Sequence, residues 1–370
     1  MANRTVLLPG CKSTTQRALI CAALGEGTVR LVGVSDADDC CELAASLIAL
    51  GASISVGGNP QELVVVGCCR ELPNKNTVID CGSGGTTLRF MMAICALQRG
   101  KYLLQVSQQL RGRPQDGLLN ALKKLGVLVS LTDEGWEVDS RAFAACDVDV
   151  DCSQSSQFAS ALLLAQFPED KFAVRPYNLE SSVYHDLTVQ VLADFGSCPE
   201  VYSIPSDLSA AIFFAGASLL TQQEVFFERA VNCEHPERYA LSWLQQHCGL
   251  LLSGASFAVD GEFNASPDEI VYAVAKAPDA SLTVAVVCRC LGVNVKFDNA
   301  QLLTFKECDR LSALSDMQTA TEKIDCRQDH RVVMAAALLK LRYPQLQLTD
   351  VDCVSKSFPN FFDQWRLVNR

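Results

Sequence analysis

The sequence predicts an α/β protein of two domains, each built from three βαβαββ units, and three observations support this prediction. Six times, a short turn rich in Ser, Gly, Asp or Pro leads into about a dozen small apolar residues, from positions 9, 81, 152, 205, 277 and 327. An amphipathic stretch follows each of these segments, and short runs of Val, Leu and Ile lie between them. The length of 370 residues exceeds what one hydrophobic core usually supports, so two domains are expected.

The six turn-and-apolar segments are predicted to be buried helices, because apolar residues fill every face of them. They are PGCKSTTQRALICAAL, CGSGGTTLRFMMAICAL, CSQSSQFASALLLAQ, PSDLSAAIFFAGASLL, APDASLTVAVVCRCLG and RQDHRVVMAAALLKLR. A helix start gathers unpaired N–H groups and positive potential, so six converging starts would form an anion site.

The amphipathic stretches are predicted to be a second set of helices, beginning near Asp38, Gln115, Tyr184, Glu237, Cys308 and Ser357. Four of them stop at a glycine, a residue that tolerates the left-handed cap conformation: Gly51, Gly126, Gly196 and Gly249. Strands are predicted at residues 63–66 and 102–106. The run LTVAVV fits either a helix or a strand.

Composition excludes several classes of function. With 31 Lys and Arg against 42 Asp and Glu, the net charge of −11 argues against a nucleic-acid surface. No apolar run reaches the roughly 18 residues of a membrane span, and no secretion signal pattern begins the chain, so a soluble cytoplasmic protein is expected. The 18 cysteines include no C-x-x-C and accompany only four histidines, which favours small buried hydrophobes over disulfides or a metal site.

Cations stand at the entrance of the first buried helix. Lys12, Ser13 and Arg17 lie there, and Arg17 follows Ser13 by four residues, so both occupy one helix face. They could grip one phosphate together, or Ser13 could be an ordinary N-cap beside two solvated cations.

The second and third starts carry further hydrogen-bonding groups. Gly82, Gly84 and Gly85 would let backbone N–H groups approach an anion, with Arg89 one turn later, although GSGG alone is often just a flexible turn. Residues 155–157 form a neutral cluster that fits either capping or recognition.

Charged residues cluster again in the second half of the chain, within KECDR, DHR and KSFPNFF: Lys306, Glu307, Arg310, Arg331 and Lys356. Isolated pairs of this kind would be solvated and contribute little. Asp279, taken alone, would be a plain N-cap at the fifth start. Together these residues indicate a site for several anionic groups, with Asp279 and Glu307 as acid/base candidates.

Eight motifs in order resemble those of the EPSP synthase family of enolpyruvyl transferases: LPGCKSTTQRAL, CGSGGTTLRF, LRGRPQDGL, SSQFASALL, PDASLTVA, KECDRLSAL, DHRVVMA and KSFPNFF. They span residues 8–362. The resemblance implies a two-domain inside-out α/β barrel of six βαβαββ repeats, three per domain, with the active site in the cleft between domains. One domain would cover residues 11–206, and the other residues 1–10 plus 207–370.

The resemblance also implies an activity, namely transfer of the enolpyruvyl group of phosphoenolpyruvate to the 5-hydroxyl of shikimate 3-phosphate, by a monomer without metal or redox cofactor. The implied shikimate 3-phosphate ligands are Lys12, Ser13, Arg17, Ser155, Ser156, Gln157, Ser181, Tyr184, Asp279 and Lys306. The implied phosphoenolpyruvate ligands are Lys12, Gly85, Arg113, Gln157, Arg310, Arg331 and Lys356. Asp279 would accept the hydroxyl proton, while Glu307 and Lys12 would carry the other proton transfers.

The chain departs from the family pattern at five positions: Cys11, Gln16, Ser83, Phe90 and Leu302.

Two alternatives to this interpretation stay open. A related enolpyruvyl transferase acts on UDP-N-acetylglucosamine, but its loop carries a Cys near an Arg-Pro pair, and LRGRPQDG has none. A non-catalytic phosphate-binding paralogue would have lost charged motif residues, all of which are present here.

Overall fold

The computed structural model describes residues 5–169, 171–179, 182–231, 235 and 237–369. The chain forms two units. The first unit covers Lys12–Ile204, and the second unit combines the residues up to Cys11 with those from Pro205 onward. Helices and mixed sheets alternate along both units, which confirms the predicted α/β class.

The described α-helices are α1 (Lys12–Leu24), α2 (Asp38–Ala49), α3 (Gly85–Leu97), α4 (Gln108–Arg111), α5 (Asp116–Lys124), α6 (Gln157–Ala165), α7 (Val183–Phe195), α8 (Leu208–Thr221), α9 (Arg238–Cys248), α10 (Ser281–Leu291), α11 (Arg310–Thr319), α12 (His330–Leu339) and α13 (Phe361–Val368). Short 3₁₀ helices cover Val274–Lys276, Pro278–Ala280, Ala300–Phe305 and Val351–Lys356. All twelve predicted helices are therefore present. The ambiguous run LTVAVV lies within α10.

The described strands are β1 (Thr5–Val6), β2 (Thr28–Val32), β3 (Ser53–Val56), β4 (Glu62–Val66), β5 (Val78–Asp80), β6 (Lys101–Gln105), β7 (Leu128–Leu131), β8 (Trp136–Asp139), β9 (Val148–Asp151), β10 (Val174–Tyr177), β11 (Val201–Ser203), β12 (Val225–Phe227), β13 (Leu250–Ser253), β14 (Ser256–Val259), β15 (Ile270–Ala273), β16 (Val295–Asp298), β17 (Lys323–Asp325) and β18 (Gln347–Thr349). The two predicted strands correspond to β4 and β6.

The sheets follow one plan in both units. The first unit has four-stranded sheets of order β11-β2-β4-β3 and β5-β6-β8-β7 and the parallel pair β9-β10. The second unit has the sheet β1-β12-β14-β13 and the parallel pairs β15-β16 and β17-β18. In each four-stranded sheet an antiparallel hairpin extends a parallel pair, and the buried faces meet in register, as where Val29 lies opposite Val65.

The first helix of each repeat is buried on every side, as its apolar sequence predicts. Helix α8 is buried from Leu208 to Leu219, and α12 along its whole length. In the first unit α3 packs against α6, and in the second unit α10 packs against α8 and α12. None of the helices in the described part of the chain has the length and apolarity needed to cross a membrane.

The third and fifth repeats lack the final hairpin in the described residues, so the prediction of six complete βαβαββ units is wrong for these two. The hairpins β3-β4, β7-β8 and β13-β14 follow α2, α5 and α9. Only five residues connect α7 to β11, and only three connect α11 to β17. Links of this length cannot hold a hairpin, because two strands of only two residues each, the shortest strand length here, and a two-residue turn would already take six residues.

Three of the four predicted glycine stops adopt the left-handed conformation. The φ angles are 97° at Gly51, 77° at Gly126 and 73° at Gly249. Gly196 has a φ of −60° and continues the helical conformation of α7. The positive φ after α7 belongs to Cys198 instead. Helix α7 ends at Phe195 with Gly196 as its C-cap residue, so the predicted stop is confirmed, while the left-handed conformation lies two residues later.

Candidate active-site residues

Lys12, the first residue of α1, forms an ion pair with a carboxylate of α2. Its Nζ atom lies 2.7 Å from Asp39 Oδ2, and the two side chains are 13% and 4% exposed. Asp39 lies in the first turn of α2, where the helix dipole favours a carboxylate. Its carbonyl accepts hydrogen bonds from Gln16 Nε2 and Thr87 Oγ1, which fixes the start of α2 beside α1 and α3. The predicted anion-binding lysine thus contacts an anion of its own chain.

Arg17 joins α1 to α7 through a buried guanidinium. Its Nε donates to Thr188 Oγ1 at 2.7 Å, and its two Nη atoms donate to the carbonyls of Ser13 and Tyr184 at 2.9 and 3.0 Å. The guanidinium carbon lies 5.5 Å from the centre of the ring of Phe90, one of the positions at which the chain departs from the family pattern. The structure therefore brings together three predicted phosphate ligands, but through backbone carbonyls.

Arg89 organises the neutral cluster at the start of α6. Its Nη1 donates to Ser155 Oγ at 3.1 Å and to Gln157 Oε1 at 2.7 Å. Its Nε donates to Gln115 Oε1 at 2.9 Å, and Gln157 Nε2 donates to Thr86 Oγ1 at 3.0 Å. A buried arginine of α3 therefore orients two predicted ligand side chains.

The glycine turn before α3 encloses a carboxylate from the protein itself. The N–H of Ser83 donates to Glu42 Oε1 at 3.3 Å, and a Cβ atom at Gly82 would overlap the Glu42 carboxylate. A Cβ atom at Gly85 would likewise overlap the Arg113 guanidinium. The close approach that glycine permits is thus used by internal charged groups.

Arg310 is the centre of a buried charge cluster in the second unit. Its Nη1 lies 2.9 Å from Asp279 Oδ1, its Nη2 lies 2.5 Å from Glu307 Oε2, and its Nε lies 2.7 Å from Asp329 Oδ2. Burial alone would lower the pKa of Arg310, but the three carboxylates outweigh it and hold that pKa well above its ordinary value. Arg310 therefore keeps its charge although its side chain is buried.

Asp279 faces two further cations besides Arg310. Lys306 Nζ lies 3.6 Å from its Oδ1, and Arg331 Nη2 lies 3.7 Å from its Oδ2. Burial would raise the pKa of Asp279, yet Lys306, Arg331 and Arg310 together hold that pKa well below its ordinary value. Asp279 is therefore ionised at neutral pH and able to accept a hydrogen bond from a hydroxyl group.

Glu237 is a buried carboxylate next to Asp279 that the sequence did not single out. Its Oε1 accepts from the N–H of Asp279 at 3.3 Å, and its Oε2 accepts from the N–H of Ala280 at 3.0 Å. Burial, with the charge of Asp279 second, raises the pKa of Glu237 to about 7. The neighbouring His235 is buried too, and desolvation lowers its pKa to about 4, so it is neutral at pH 7.

The remaining predicted residues occupy different surroundings. Arg331 Nη1 donates to the Ser209 carbonyl at 3.1 Å, which ties α12 to α8. Lys356 ends a 3₁₀ helix and is buried, and Ser156 is the buried N-cap residue of α6. Ser181, predicted to bind shikimate 3-phosphate, lies outside the described residues.

Sequence reasoning missed several charged groups that contact the predicted ones: Asp39, Glu42, Glu237 and Asp329. Each lies at or near the start of a helix, where acidic residues are common without any function. Asp329 is the first residue of the DHR motif, two positions before Arg331, and this placement was the one available signal.

Comparison with known proteins gives one consistent result. The family model described as EPSP synthase (3-phosphoshikimate 1-carboxyvinyltransferase) matches residues 2–200, 197–319 and 314–365. A 3-phosphoshikimate 1-carboxyvinyltransferase of Rhizobium etli is 30% identical, with 97% of this chain and 92% of that protein covered. One from Aliivibrio fischeri is 27% identical, covering 98% of this chain and 96% of the relative.

Solved structures show the same fold. An EPSP synthase from Acinetobacter baumannii superposes with a TM-score of 0.71 at 18% identity, covering 98% of this chain and 94% of that one. The enolpyruvyl transferase NikO from Streptomyces tendae gives a TM-score of 0.69 at 14% identity, covering 97% and 93%.

Proposed function

The chain belongs to the EPSP synthase (3-phosphoshikimate 1-carboxyvinyltransferase) family, and we propose that it transfers the enolpyruvyl group of phosphoenolpyruvate to the 5-hydroxyl of shikimate 3-phosphate. The observation that supports this most directly is the cluster around Arg310. Asp279, Glu307 and Lys306 lie together there, as the family motifs require. A sugar phosphate and an enol phosphate are both multiply anionic, and the predicted ligands are mostly cations and hydrogen-bond donors.

The reaction is an addition followed by an elimination. A proton adds to C3 of phosphoenolpyruvate, the 5-hydroxyl oxygen attacks the cationic C2, and the hydroxyl proton passes to a base. C3 then loses a proton, the C2–O bond to phosphate breaks, and the vinyl group is restored. Proton gain and loss at one carbon require groups that act first as acid and then as base.

We assign these proton transfers to three residues. Asp279 orients the hydroxyl and receives its proton, while Glu307 and Lys12 serve C3. In the substrate-free protein the pKa of Asp279 is low because three cations surround it, so it is a weak base. Phosphoenolpyruvate would draw Arg310 and Arg331 toward its own negative charges, and Asp279 becomes a stronger base once they contact it less closely.

The ligand assignments follow from the family motifs. Shikimate 3-phosphate takes Lys12, Ser13, Arg17, Ser155, Ser156, Gln157, Ser181, Tyr184, Asp279 and Lys306. Phosphoenolpyruvate takes Lys12, Gly85, Arg113, Gln157, Arg310, Arg331 and Lys356. The domain boundaries at 11–206, the inside-out barrel, the monomeric state and the cytoplasmic location stay predictions.

Release of inorganic phosphate from phosphoenolpyruvate tests the function. The purified protein should release phosphate when shikimate 3-phosphate is added and none when either substrate is omitted. Phosphate release with UDP-N-acetylglucosamine, and none with shikimate 3-phosphate, would show that the acceptor is UDP-N-acetylglucosamine. Binding of both substrates without turnover would identify it as a non-catalytic paralogue.

A further inference from the structure

We propose that Glu237 is a positioning residue for Asp279, holding the backbone of the catalytic segment with both of its carboxylate oxygens. This inference rests on the proposed function, in which Asp279 handles the proton of the 5-hydroxyl. Glu237 itself contacts the backbone next to that group, and it is fully buried.

The geometry replaces a helix cap with a carboxylate from another helix. Ala277 is the N-cap residue of the 3₁₀ helix Pro278–Ala280 that leads into α10, and an alanine side chain cannot accept a hydrogen bond from the N–H groups of Asp279 and Ala280. Glu237, at the N-cap of α9, supplies the acceptors for the N–H groups of Asp279 and Ala280. Tyr272 Oη donates to the Ala277 carbonyl at 2.8 Å, so the segment is held from two sides.

The arrangement requires the ionised form of Glu237. A carboxylate offers an acceptor to each N–H group, whereas a protonated carboxyl carries an O–H on one oxygen and loses one of the two bonds. The charged groups that face Glu237 are Asp279, which opposes its ionisation, and Arg331 and Lys306, which favour it. His235 is uncharged at neutral pH, because burial lowers its pKa to about 4.

This predicts how activity depends on pH. Since the pKa of Glu237 is raised to about 7, the ionised form that accepts both hydrogen bonds predominates above pH 7, and its population decreases as the pH falls below 7. In the native protein kcat should therefore fall as the pH drops from 8 to 6, while KM for phosphoenolpyruvate changes less. Glu237→Gln, which keeps the shape but offers a single acceptor, should lower kcat by about tenfold or more and lose this acid limb.

The matched control is Glu224→Gln. Glu224 is an exposed carboxylate of the same unit that accepts from Ser256 Oγ and is not among the proposed ligands. This variant should keep the native pH profile. An acid limb that persists unchanged in Glu237→Gln overturns the proposal.

A second measurement does not depend on turnover. In hydrogen–deuterium exchange, the peptide covering residues 274–284 should exchange at least about tenfold faster in Glu237→Gln and Glu237→Ala than in the native protein and Glu224→Gln. Equal exchange in all four proteins contradicts the positioning role even if the enzyme is active. If the Glu237 variants exchange faster but the native protein releases no phosphate, the positioning role is supported and the proposed function is rejected.

Discussion

Lys12 and Arg310, two of the proposed substrate ligands, are each paired with carboxylates of the protein itself. Both are cations held in largely buried positions by carboxylates of their own unit, Lys12 by Asp39 and Arg310 by three acids. A buried charge without a partner is costly, so a substrate-free protein has to supply a counter-charge. Under the proposed function, an incoming substrate phosphate would replace one anionic partner of the cation with another, so the cation would keep a counter-charge throughout.

Lys12→Met tests this at the first α1 residue. The variant should lose turnover, because Lys12 is proposed to contact both substrates. It should also lose roughly 3 kcal/mol of unfolding free energy, since Asp39 keeps a buried charge without its cation. Adding Asp39→Asn should restore much of that stability without restoring activity, as measured by urea unfolding and phosphate release.

Two outcomes would contradict these expectations. A near-native rate in Lys12→Met rules out its catalytic role. Equal stability of the single and double variants rules out the ion pair as the source of the loss. Lys340→Met, at the exposed C-cap lysine of α12, is the control for the substitution itself.

At the scale of helices and strands, the buried first helices were predictable because their apolar residues leave no solvent face. Their partners α2 and α9 were predictable as helices, but Asp39 and Glu237 on them were not, since acidic residues at helix starts are ordinary. The missing hairpins did leave a signal. Repeats that start 71 or 72 residues before the next carry a hairpin, and those with steps of 53 and 50 do not.

The N-termini of α11 and α12 offer a matched pair of capping aspartates. Asp329 is fully buried, accepts from the N–H of Arg331 at 2.9 Å and pairs with Arg310. Asp309 is exposed and accepts from the N–H groups of Leu311 and Ser312. The same Asp→Asn change at the two positions therefore distinguishes the effect of capping alone, at Asp309, from the effect of capping together with neutralising a buried arginine, at Asp329.

Asp329→Asn should cost about 3 to 5 kcal/mol of unfolding free energy, because Arg310 loses a buried counter-charge and an amide N–H₂ cannot accept from it. Asp309→Asn should change stability by less than about 0.5 kcal/mol, because Asn caps as well as Asp. Urea unfolding of both variants gives the comparison. Similar losses in the two variants would show that capping, not charge, explains the effect of Asp329.

At the scale of the whole molecule, the division into two units could be expected from the length. The composition gives the number of cysteines, but which of them are buried depends on the packing of the chain. Nine of the seventeen described cysteines are buried, four are exposed, and the described cysteines form no disulfide. Several buried thiols lie inside the first helices, as Cys21 does in α1 and Cys95 in α3. This agrees with their prediction as small hydrophobes.

Thiol labelling of the native protein follows from this distribution. Burial raises the pKa of Cys21 and Cys81 far above the ordinary thiol value, so at pH 8 they have neither the thiolate nor the access that alkylation requires. A brief treatment with iodoacetamide, read by peptide mass spectrometry, should label the exposed set first: Cys41, Cys69, Cys146 and Cys198. Cys41 should be slow within that set, because partial burial, Asp38, Asp36 and Glu42 raise its pKa. In urea all cysteines should react alike, and labelling of Cys21 as fast as Cys146 in the native protein would contradict the buried packing of α1.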